Sequence, residues 1–213
     1  MPEPSIKLVV IKIGGSLYDL PGLATLLPRW LAGLETRQVL LIPGGGKTAD
    51  AVRNWDQLHG LGEERSHWLA IQALSLNARF LAAILHGARL VDNLEACESA
   101  WHDGCIPILD PAAILDADEG APDRLPHSWN VSSDSIAARI AILTGAVRLI
   151  LLKSADTDVR QTWGENAAVG LVDPLFPILV EGRLDVEVIN FRNWYPTTSQ
   201  PTNSQFAERH DRQ

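Results

Sequence analysis

The sequence predicts an α/β fold in which a mainly parallel sheet is covered by helices on both faces. Short β-branched apolar runs alternate along the chain with amphipathic segments of helical spacing. Two of the runs end directly in glycine-rich turns. No internal repeat or low-complexity linker divides the chain before its polar end, so we expect one domain over residues 1–191. Residues 192–213 are predicted to be a tail that is disordered or bound to a partner.

Each predicted element follows from its apolar spacing and its flanking turns. The expected strands cover residues 8–13, 39–42, 89–91, 105–109, 147–152 and 186–189. The expected helices cover residues 22–34, 48–58, 63–85, 94–101 and 133–145, with a short helical piece after residue 173. Residues 116–129 are polar and rich in turns, which indicates a mobile surface loop that could serve as a lid. The long helix at 63–85 is typical of an oligomer interface.

Composition excludes several kinds of partner. The formal net charge is -8 and the isoelectric point is near 5.2, without the basic patches that nucleic acids or anionic membranes require. No apolar run approaches the roughly 18 residues that span a bilayer, so we expect a cytoplasmic protein. Cys97 and Cys105 are too few for a disulfide framework or a thiolate zinc site, and we predict no protein metal site. A small anion remains a possible ligand.

A lysine interrupts the first apolar strand one residue before its end. Lys12 and Ile13 are followed by Gly14 and Gly15. A buried ammonium is costly unless an anion meets it, and glycine N–H groups let an anion approach closely. The stretch therefore indicates a phosphate site. The alternative is a lysine that reaches solvent beside a plain tight turn.

A second glycine-rich turn follows the second strand and leads into a helix. The N–H groups of Gly44, Gly45 and Gly46 would lie at a helix N-terminus, a position that favours anions. The next residue, Lys47, imitates the nucleotide-binding loop G-x-x-x-x-G-K-[ST]. The imitation fails because Leu41 stands where that loop needs its first glycine.

Two further charged residues repeat or complement the pattern of Lys12. Lys153 ends the strand at 147–152 and is also followed by a polar loop. Asp134 lies in the first turn of a helix for which Ser132 or Ser133 is the N-cap. A carboxylate there suits the helix dipole, so a structural role and a functional role are both open.

Four of these stretches, taken in order, resemble the amino acid kinase superfamily, which includes aspartate, glutamate and uridylate kinases and has the carbamate kinase-like fold. They are Lys-Ile-Gly-Gly-Ser from Lys12, Pro-Gly-Gly-Gly from Pro43, Asn-Val-Ser-Ser-Asp-Ser-Ile-Ala-Ala from Asn130 and Leu-Leu-Lys from Leu151. The run from Gly44 to residue 71 is similar to short members of the methanofuran pathway, which phosphorylate an aminomethylfuran-methyl phosphate.

The resemblance implies a three-layer α/β/α sandwich, a homodimer or larger homo-oligomer, and phosphoryl transfer from ATP to a small anionic substrate. Mg²⁺ would accompany ATP, held chiefly by phosphate oxygens and water rather than by a protein cage. A loose transition state needs cations and N–H donors for its spread charge. An acceptor that is already anionic needs no general base.

The same resemblance assigns roles to individual residues. The catalytic residues would be Lys12, which contacts the transferred phosphoryl group, Asp134, which orients the lysines, and Lys153. The phosphate- and nucleotide-binding residues would be Gly14, Gly15, Ser16, Lys153 and Asp156. The acceptor-binding residues would be Gly44, Gly45, Gly46, Arg53, His67 and Asn130.

The chain departs from the superfamily pattern in one respect. Many members carry a second catalytic lysine in a glycine-rich segment after the nucleotide loop, and residues 169–182 contain no lysine here. Either Lys12 and Lys153 suffice or phosphoryl transfer is impaired.

From the resemblance as a whole, the leading hypothesis is a phosphomonoester kinase. The alternatives are a carboxylate kinase, with Arg53 or Arg79 as its guanidinium clamp, and a non-catalytic member that binds an anion or senses a metabolite.

Overall fold

The computed structural model describes residues 8–36, 38–157 and 160–194. Within them, six strands form one sheet: β1 (Val9–Ile13), β2 (Val39–Pro43), β3 (Ala88–Val91), β4 (Ile106–Leu109), β5 (Arg148–Lys153) and β6 (Asp185–Asn190). The strand order is β3-β4-β2-β1-β5-β6, and every neighbouring pair is parallel. The carboxyl ends of all six strands therefore meet at one edge of the sheet.

Helices connect the strands and cover the sheet on both faces. In the described part of the chain they are α1 (Leu23–Ala32), α2 (Gly46–His59), α3 (Glu63–Ile84), α4 (Leu94–His102), α5 (Pro111–Asp118), α6 (Ser133–Leu143), α7 (Trp163–Ala168) and α8 (Phe176–Val180). The predicted α/β sandwich with a parallel sheet is confirmed. None of these helices combines the length and apolarity needed to cross a membrane.

Alternating side chains of the central strands build two separate cores. Val10 of β1 belongs to the core that contains residues of α4, α6 and α8, whereas Ile11 belongs to the core that contains residues of α1. Successive residues of a strand point to opposite faces, so Lys12 shares the face of Val10. The ammonium at the end of β1 is thereby directed to the side of the sheet that α6 covers.

The segment predicted as a mobile loop is anchored in the structure. Its first residues belong to α5, which begins at Pro111 because the side chain of Asp110 accepts a hydrogen bond from the Ala112 N–H. Its remaining residues, 119–129, and the next residue, Asn130, run from α5 towards α6, and we call residues 119–130 the strap. Leu125 of the strap is buried in the core beside α6.

A buried ion pair fixes the start of the strap. The Arg139 guanidinium, on α6, donates to both carboxylate oxygens of Asp118 at 2.7 and 2.8 Å and to both of Asp123 at 2.8 and 3.0 Å. Arg139 and Asp118 are buried, while Asp123 is exposed. The two carboxylates raise the pKa of Arg139 and keep it charged. The strap is thus tied to the helix that carries Asp134.

Part of the predicted tail lies within the described residues. Phe191–Asn193 forms a 3-10 turn after β6, and the Arg192 guanidinium donates to the Ser16 carbonyl at 2.6 Å. The Trp194 ring stacks on Phe191. The rest of the predicted tail, residues 195–213, lies outside the described residues.

We expect Arg139→Ala to lower the free energy of unfolding by about 3–5 kcal/mol, because it leaves the buried Asp118 carboxylate without its partner. Denaturant unfolding would measure the loss. Arg148→Ala is the matched control, since Arg148 pairs with Asp185 at 2.7 Å on an exposed surface. Its removal is expected to cost less than about 1 kcal/mol. Equal losses in the two variants would contradict the assigned role of Arg139.

Candidate active site

Three charged residues meet at the carboxyl edge of the sheet. Lys12 Nζ lies 2.9 Å from Asp134 Oδ1, and Lys153 Nζ donates to Asp134 Oδ2 at 2.6 Å. Lys12 and Asp134 are each only 4% exposed. One buried carboxylate is therefore shared by two ammonium groups, and we call these residues the lysine–aspartate trio.

The strand register explains why the two lysines converge. β1 and β5 are neighbours in which Lys12 pairs with Leu151, and Lys153 lies two residues beyond Leu151. Residues two apart on a strand share a face, and Leu151 belongs to the same core as Val10. Both lysines therefore emerge on the face covered by α6, where Asp134 occupies the first helical turn.

The trio carries a net positive charge in a buried setting. Burial opposes ionisation of Asp134, but the two ammonium groups outweigh that cost and lower its pKa. Burial and the charge of Lys12 lower the pKa of Lys153 to about 8, although Asp134 opposes the shift. With one carboxylate against two ammonium groups, the trio is suited to bind an anion.

The two glycine-rich turns contact each other beside the trio. A Cβ on Gly15 would lie 2.1 Å from Gly46 N, and a Cβ on Gly44 would lie 2.5 Å from Gly15 N. Gly46 also has a φ of 54°, a conformation that favours glycine. Only residues without a side chain allow the two turns to meet so closely.

Two side chains, Tyr18 and Asn77, fix the orientation of the peptide groups in the second glycine-rich turn. The Gly44 carbonyl accepts hydrogen bonds from Tyr18 OH at 2.8 Å and from Asn77 Nδ2 at 2.7 Å, and Asn77 Nδ2 also donates to the Gly45 carbonyl at 2.7 Å. The C=O and N–H groups of a planar trans peptide point in opposite directions. Fixing these carbonyls therefore directs the N–H groups of Gly45 and Gly46 away from Asn77.

A cavity of about 200 Å³ is lined in part by the second glycine turn and by Ser132 and Ser133, which precede Asp134. Six of its lining residues are apolar: Ala49, Ala70, Ile71, Leu74, Val131 and Ile136. Its polar lining residues include Gly45, Gly46, Asp50, Arg53, His67, Ser128, Trp129, Ser132 and Ser133. We call it the acceptor-side cavity. It combines an apolar interior with a guanidinium and with the N-terminal end of α2.

The strap provides one wall of the acceptor-side cavity. Trp129 Nε1 donates to Asp56 Oδ2 of α2 at 2.7 Å, and the Arg53 guanidinium lies 4.7 Å from the Trp129 ring centroid. Ser128 Oγ donates to Glu63 Oε1 at 3.1 Å. These contacts hold the strap against α2 and α3 beside the cavity.

A histidine pair completes the anchoring of the strap. His127 places its ring nitrogens 2.5 Å from Glu64 Oε2 and 2.8 Å from Glu119 Oε1, and its ring stacks on that of His67. Burial opposes protonation of His127, but the two carboxylates raise its pKa. Burial, followed by the charge of His127, lowers the pKa of His67 to about 4. His67 therefore faces the cavity as a neutral ring at pH 7.

A more open cleft of about 500 Å³ lies beside Lys153. It is lined by Lys153 and by the residues that follow it, among them Ser154 and Asp156. Asp156 accepts a hydrogen bond from Asn190 Nδ2 at 3.0 Å, and Ser16 Oγ donates to Ser154 Oγ at 2.8 Å. We call it the lysine-side cleft. Ser133, which precedes Asp134 in the chain, lines the acceptor-side cavity, and Lys153, an ion-pair partner of Asp134, lines the lysine-side cleft.

Most of the residues predicted from sequence are brought together at this edge. They are Lys12, Gly14, Gly15, Ser16, Gly44, Gly45, Gly46, Arg53, His67, Asp134, Lys153 and Asp156. Gly14 and the remaining predicted residue, Asn130, have surroundings that the sequence did not indicate. The Gly14 N–H donates to the Leu152 carbonyl at 2.8 Å, so the sheet already uses the group that was expected to bind phosphate. Asn130 is exposed and lies outside the residues that line the cavity.

Sequence reasoning missed Tyr18 and Asn77, which fix the second glycine turn. Asn77 lies in the middle of α3 and is 4% exposed. Asparagine is uncommon at fully buried helix positions, so a polar residue in the apolar stripe of the predicted helix was the available signal. Tyr18 gave no comparable signal, because its partner is a carbonyl 26 residues away.

Comparison with known proteins agrees with this geometry. The model of the amino acid kinase family matches residues 7–157. The chain is 31% identical over 196 residues to [5-(aminomethyl)furan-3-yl]methyl phosphate kinase of Methanocaldococcus jannaschii, covering 86% of this chain and 88% of that protein. Uridylate kinase from Archaeoglobus fulgidus has a similar structure, with a TM-score of 0.58, 17% identity and coverage of 88% and 93%. UMP kinase from Ureaplasma parvum gives a TM-score of 0.60 at 13% identity, covering 86% and 89%.

A parallel sheet whose carboxyl edge gathers cations and glycine turns around a buried carboxylate is the architecture of a phosphotransferase. The chain belongs to the amino acid kinase family. Both the superfamily and the carbamate kinase-like fold expected from the sequence motifs are confirmed.

We expect Gly15→Ala to destabilise the protein by about 1–3 kcal/mol, because its Cβ would overlap the backbone of Gly46 and force the two turns apart. Denaturant unfolding would measure the change. Gly120→Ala is the control, since a Cβ there meets nothing within 4 Å and its φ is not positive. A Gly15→Ala protein as stable as Gly120→Ala would show that the turns are not in close contact.

Proposed function

We propose that this enzyme transfers the γ-phosphoryl group of ATP to the phosphate of a small phosphomonoester. The observation that carries the proposal is the buried lysine–aspartate trio at the carboxyl edge of the sheet, beside the two glycine turns. The related protein of M. jannaschii is named for an aminomethylfuran-methyl phosphate. That name supports the same acceptor here, in methanofuran-type cofactor biosynthesis and hence one-carbon metabolism.

The proposed reaction balances without a general base. An oxygen of the acceptor phosphate forms a bond to the γ-phosphorus of ATP, the bond from that phosphorus to the β,γ-bridging oxygen breaks, and ADP leaves with the electron pair. The products are ADP and a diphosphate monoester. Because the attacking oxygen is already ionised, the catalytic groups needed are those that position the reactants and stabilise negative charge.

The trio supplies that charge stabilisation. In our proposal the Lys12 ammonium contacts the phosphoryl group in transfer, and the Lys153 ammonium contacts the nucleotide phosphates from the lysine-side cleft. Asp134 holds both ammonium groups at one place rather than accepting a proton. Since the Gly14 N–H is used by the sheet, the phosphate-binding amides are assigned to Gly15 and to the second glycine turn.

The magnesium ion expected with ATP would depend mainly on the nucleotide. The described residues hold no group of three or more His, Cys, Asp or Glu side chains suited to a metal. Near the trio, Asp134 is already shared by two ammonium groups. This scarcity of protein ligands fits a Mg²⁺ ion that is held by phosphate oxygens and water. Asp156 lines the lysine-side cleft, where the nucleotide phosphates would lie.

The acceptor-side cavity supports a small substrate with a flat apolar body and an anionic end. Its interior presents Ile71, Leu74 and Ile136, which favour the body of a ring. The glycine turn and the guanidinium of Arg53 favour the phosphate. An acceptor with these two parts would place its phosphate next to the trio.

The carboxylate-kinase alternative receives less support. Its guanidinium clamp was to come from Arg53 or Arg79, but Arg79 donates to Asp110 at 3.3 Å and lines neither cavity. Arg53 lines the acceptor-side cavity and would suit a carboxylate as well as a phosphate, so it does not separate the two acceptors. The missing lysine in residues 169–182 was the main argument for a non-catalytic protein, and Lys153 supports catalysis because it already supplies a second cation to Asp134.

Assembly and location complete the proposal. Leu69, Leu76 and Phe80 are exposed large apolar residues whose spacing places them on one side of α3. They support the expected homodimer or larger homo-oligomer, which light scattering after size exclusion would test. A cytoplasmic location stays a prediction.

The test of function is to incubate the protein with ATP, Mg²⁺ and panels of phosphomonoesters and carboxylates, following products by ³¹P NMR. We expect ADP and a diphosphate monoester, with [5-(aminomethyl)furan-3-yl]methyl phosphate among the accepted substrates. An acyl phosphate trapped by hydroxylamine would instead identify a carboxylate kinase. Oxyanion binding without ATP binding would support the non-catalytic alternative.

In the same assay, Lys12→Met should reduce kcat by about 10²-fold or more while the protein stays folded. The change removes the ammonium that stabilises the transition-state charge but keeps most of the side-chain volume. Lys47→Met is the matched control, because Lys47 is an exposed lysine close to the same turns. Full turnover by Lys12→Met would refute the role assigned to Lys12.

The pH dependence of kcat/KM should be bell-shaped. Above about pH 8 the free enzyme loses the Lys153 proton, and with it one of the two cations, so the rate falls as pH rises. Below about pH 6 the acceptor phosphate gains a proton and becomes a poorer nucleophile. Lys153→Arg should move the basic limb upward, because a guanidinium stays charged. An unmoved basic limb would assign that limb to another group.

A further inference from the structure

Residues 171–176, within the segment that lacks the superfamily lysine, contact Lys153 and the start of α6, the helix that carries Asp134. We propose that Asp173 is a positioning residue, which fixes the first turn of α6 so that Asp134 stays between the two lysines. The inference deepens the proposed function and rests on it. Asp173 touches none of the reacting groups and acts through α6.

The Asp173 carboxylate holds the start of α6 by four hydrogen bonds. Its Oδ2 accepts from Ser132 N at 3.0 Å, from Ser132 Oγ at 2.7 Å and from Ser135 N at 3.0 Å. Its Oδ1 accepts from Ser135 Oγ at 2.5 Å. Asp134 lies between these two serines in the sequence. The Asp173 carboxylate therefore binds α6 on both sides of the residue that the lysines share.

The same carboxylate also fixes the segment to which it belongs. Asp173 Oδ1 accepts from the N–H groups of Leu175 and Phe176, each at 3.1 Å, at the start of α8. Two residues before Asp173, the Leu171 carbonyl accepts a hydrogen bond from Lys153 Nζ at 2.6 Å. One short segment therefore orients Lys153 directly and Asp134 through α6.

The burial of Asp173 makes this contact sensitive to small changes. Asp173 is 8% exposed, and its two oxygens accept six hydrogen bonds from the described residues. An amide in its place would direct two N–H donors at groups that are themselves donors. The first turn of α6 would then shift, and the Asp134 carboxylate would lose its place between Lys12 and Lys153.

A helix cap without any role at the site would give a different pattern. It would lower stability when removed and, apart from the loss of its own charge, leave the titration of Lys153 unchanged. The decisive titration is therefore that of Ser135→Ala, which keeps the Asp173 carboxylate and removes one of its contacts with α6. Asp118→Asn provides the comparison, because Asp118 is also buried and also holds α6, through Arg139 one turn further along. Both variants should lose stability. Only the Asp173 variant should alter the charge behaviour of Lys153, whose pKa both Asp134 and Asp173 raise.

The experiment is NMR of protein labelled with ¹³C at the lysine ε position. The sequence contains four lysines, and Lys153→Arg assigns the signal of Lys153 by its absence. In Asp173→Asn we expect Lys153 to titrate below about pH 8, with the titration unchanged in Asp118→Asn. We also expect kcat to fall by about 10²-fold with little change in either KM. A folded Asp173→Asn protein with the native Lys153 titration would overturn the proposal.

A second variant keeps the proposal testable if Asp173→Asn does not fold. Ser135→Ala removes one hydrogen bond to Asp173 Oδ1 and keeps the carboxylate, so we expect a smaller, roughly tenfold loss of kcat. Native kcat and native Lys153 titration in this variant would again overturn the proposal. The NMR titration needs no substrate. A native enzyme without kinase activity would therefore refute the proposed function, while the effect of Asp173 on Lys153 is still measured.

Discussion

The rest of the site depends on one interaction, the sharing of the Asp134 carboxylate by Lys12 and Lys153. Burying three charges is expensive, and burying two ammonium groups without a carboxylate would be far more so. Asp134 makes the arrangement tolerable and still leaves one positive charge in excess. The excess positive charge attracts an anion to the site. The two ion pairs also require two neighbouring parallel strands and a helix on the face of the sheet to which both lysines point. The fold supplies these in β1, β5 and α6.

The glycine turns supply the second property that an anion site needs, which is a fixed orientation for the anion. Cations attract an anion but do not define its orientation, whereas backbone N–H groups with fixed carbonyls do. Tyr18 and Asn77 fix those carbonyls from behind, and Gly15 and Gly46 allow the two turns to meet. Charge and direction are thus supplied by different parts of the chain, which meet only in the folded protein.

The fold and the charged residues of the site could be predicted from the sequence because both depend on local pattern. Apolar runs ending in glycine located β1 and β2, and lysines at strand ends were recognisable as costly unless paired. The anchors of the strap could not be predicted, because contacts such as that of Trp129 with Asp56 join residues 73 apart. The competition for the Gly14 N–H was equally invisible, since it depends on β5 pairing beside β1. Long-range partners of loops and turns have no signature in local composition.

The strap lines the acceptor-side cavity through Ser128 and Trp129, whereas the hydrogen bonds and ion pairs described for the lysine–aspartate trio involve no residue of the strap. Under the proposed function, substitutions in the strap would reshape one wall of the acceptor-side cavity while the ion pairs of the trio stay as they are. Relatives would in that way differ in the acceptor they favour without a change in the groups that stabilise the transferred charge.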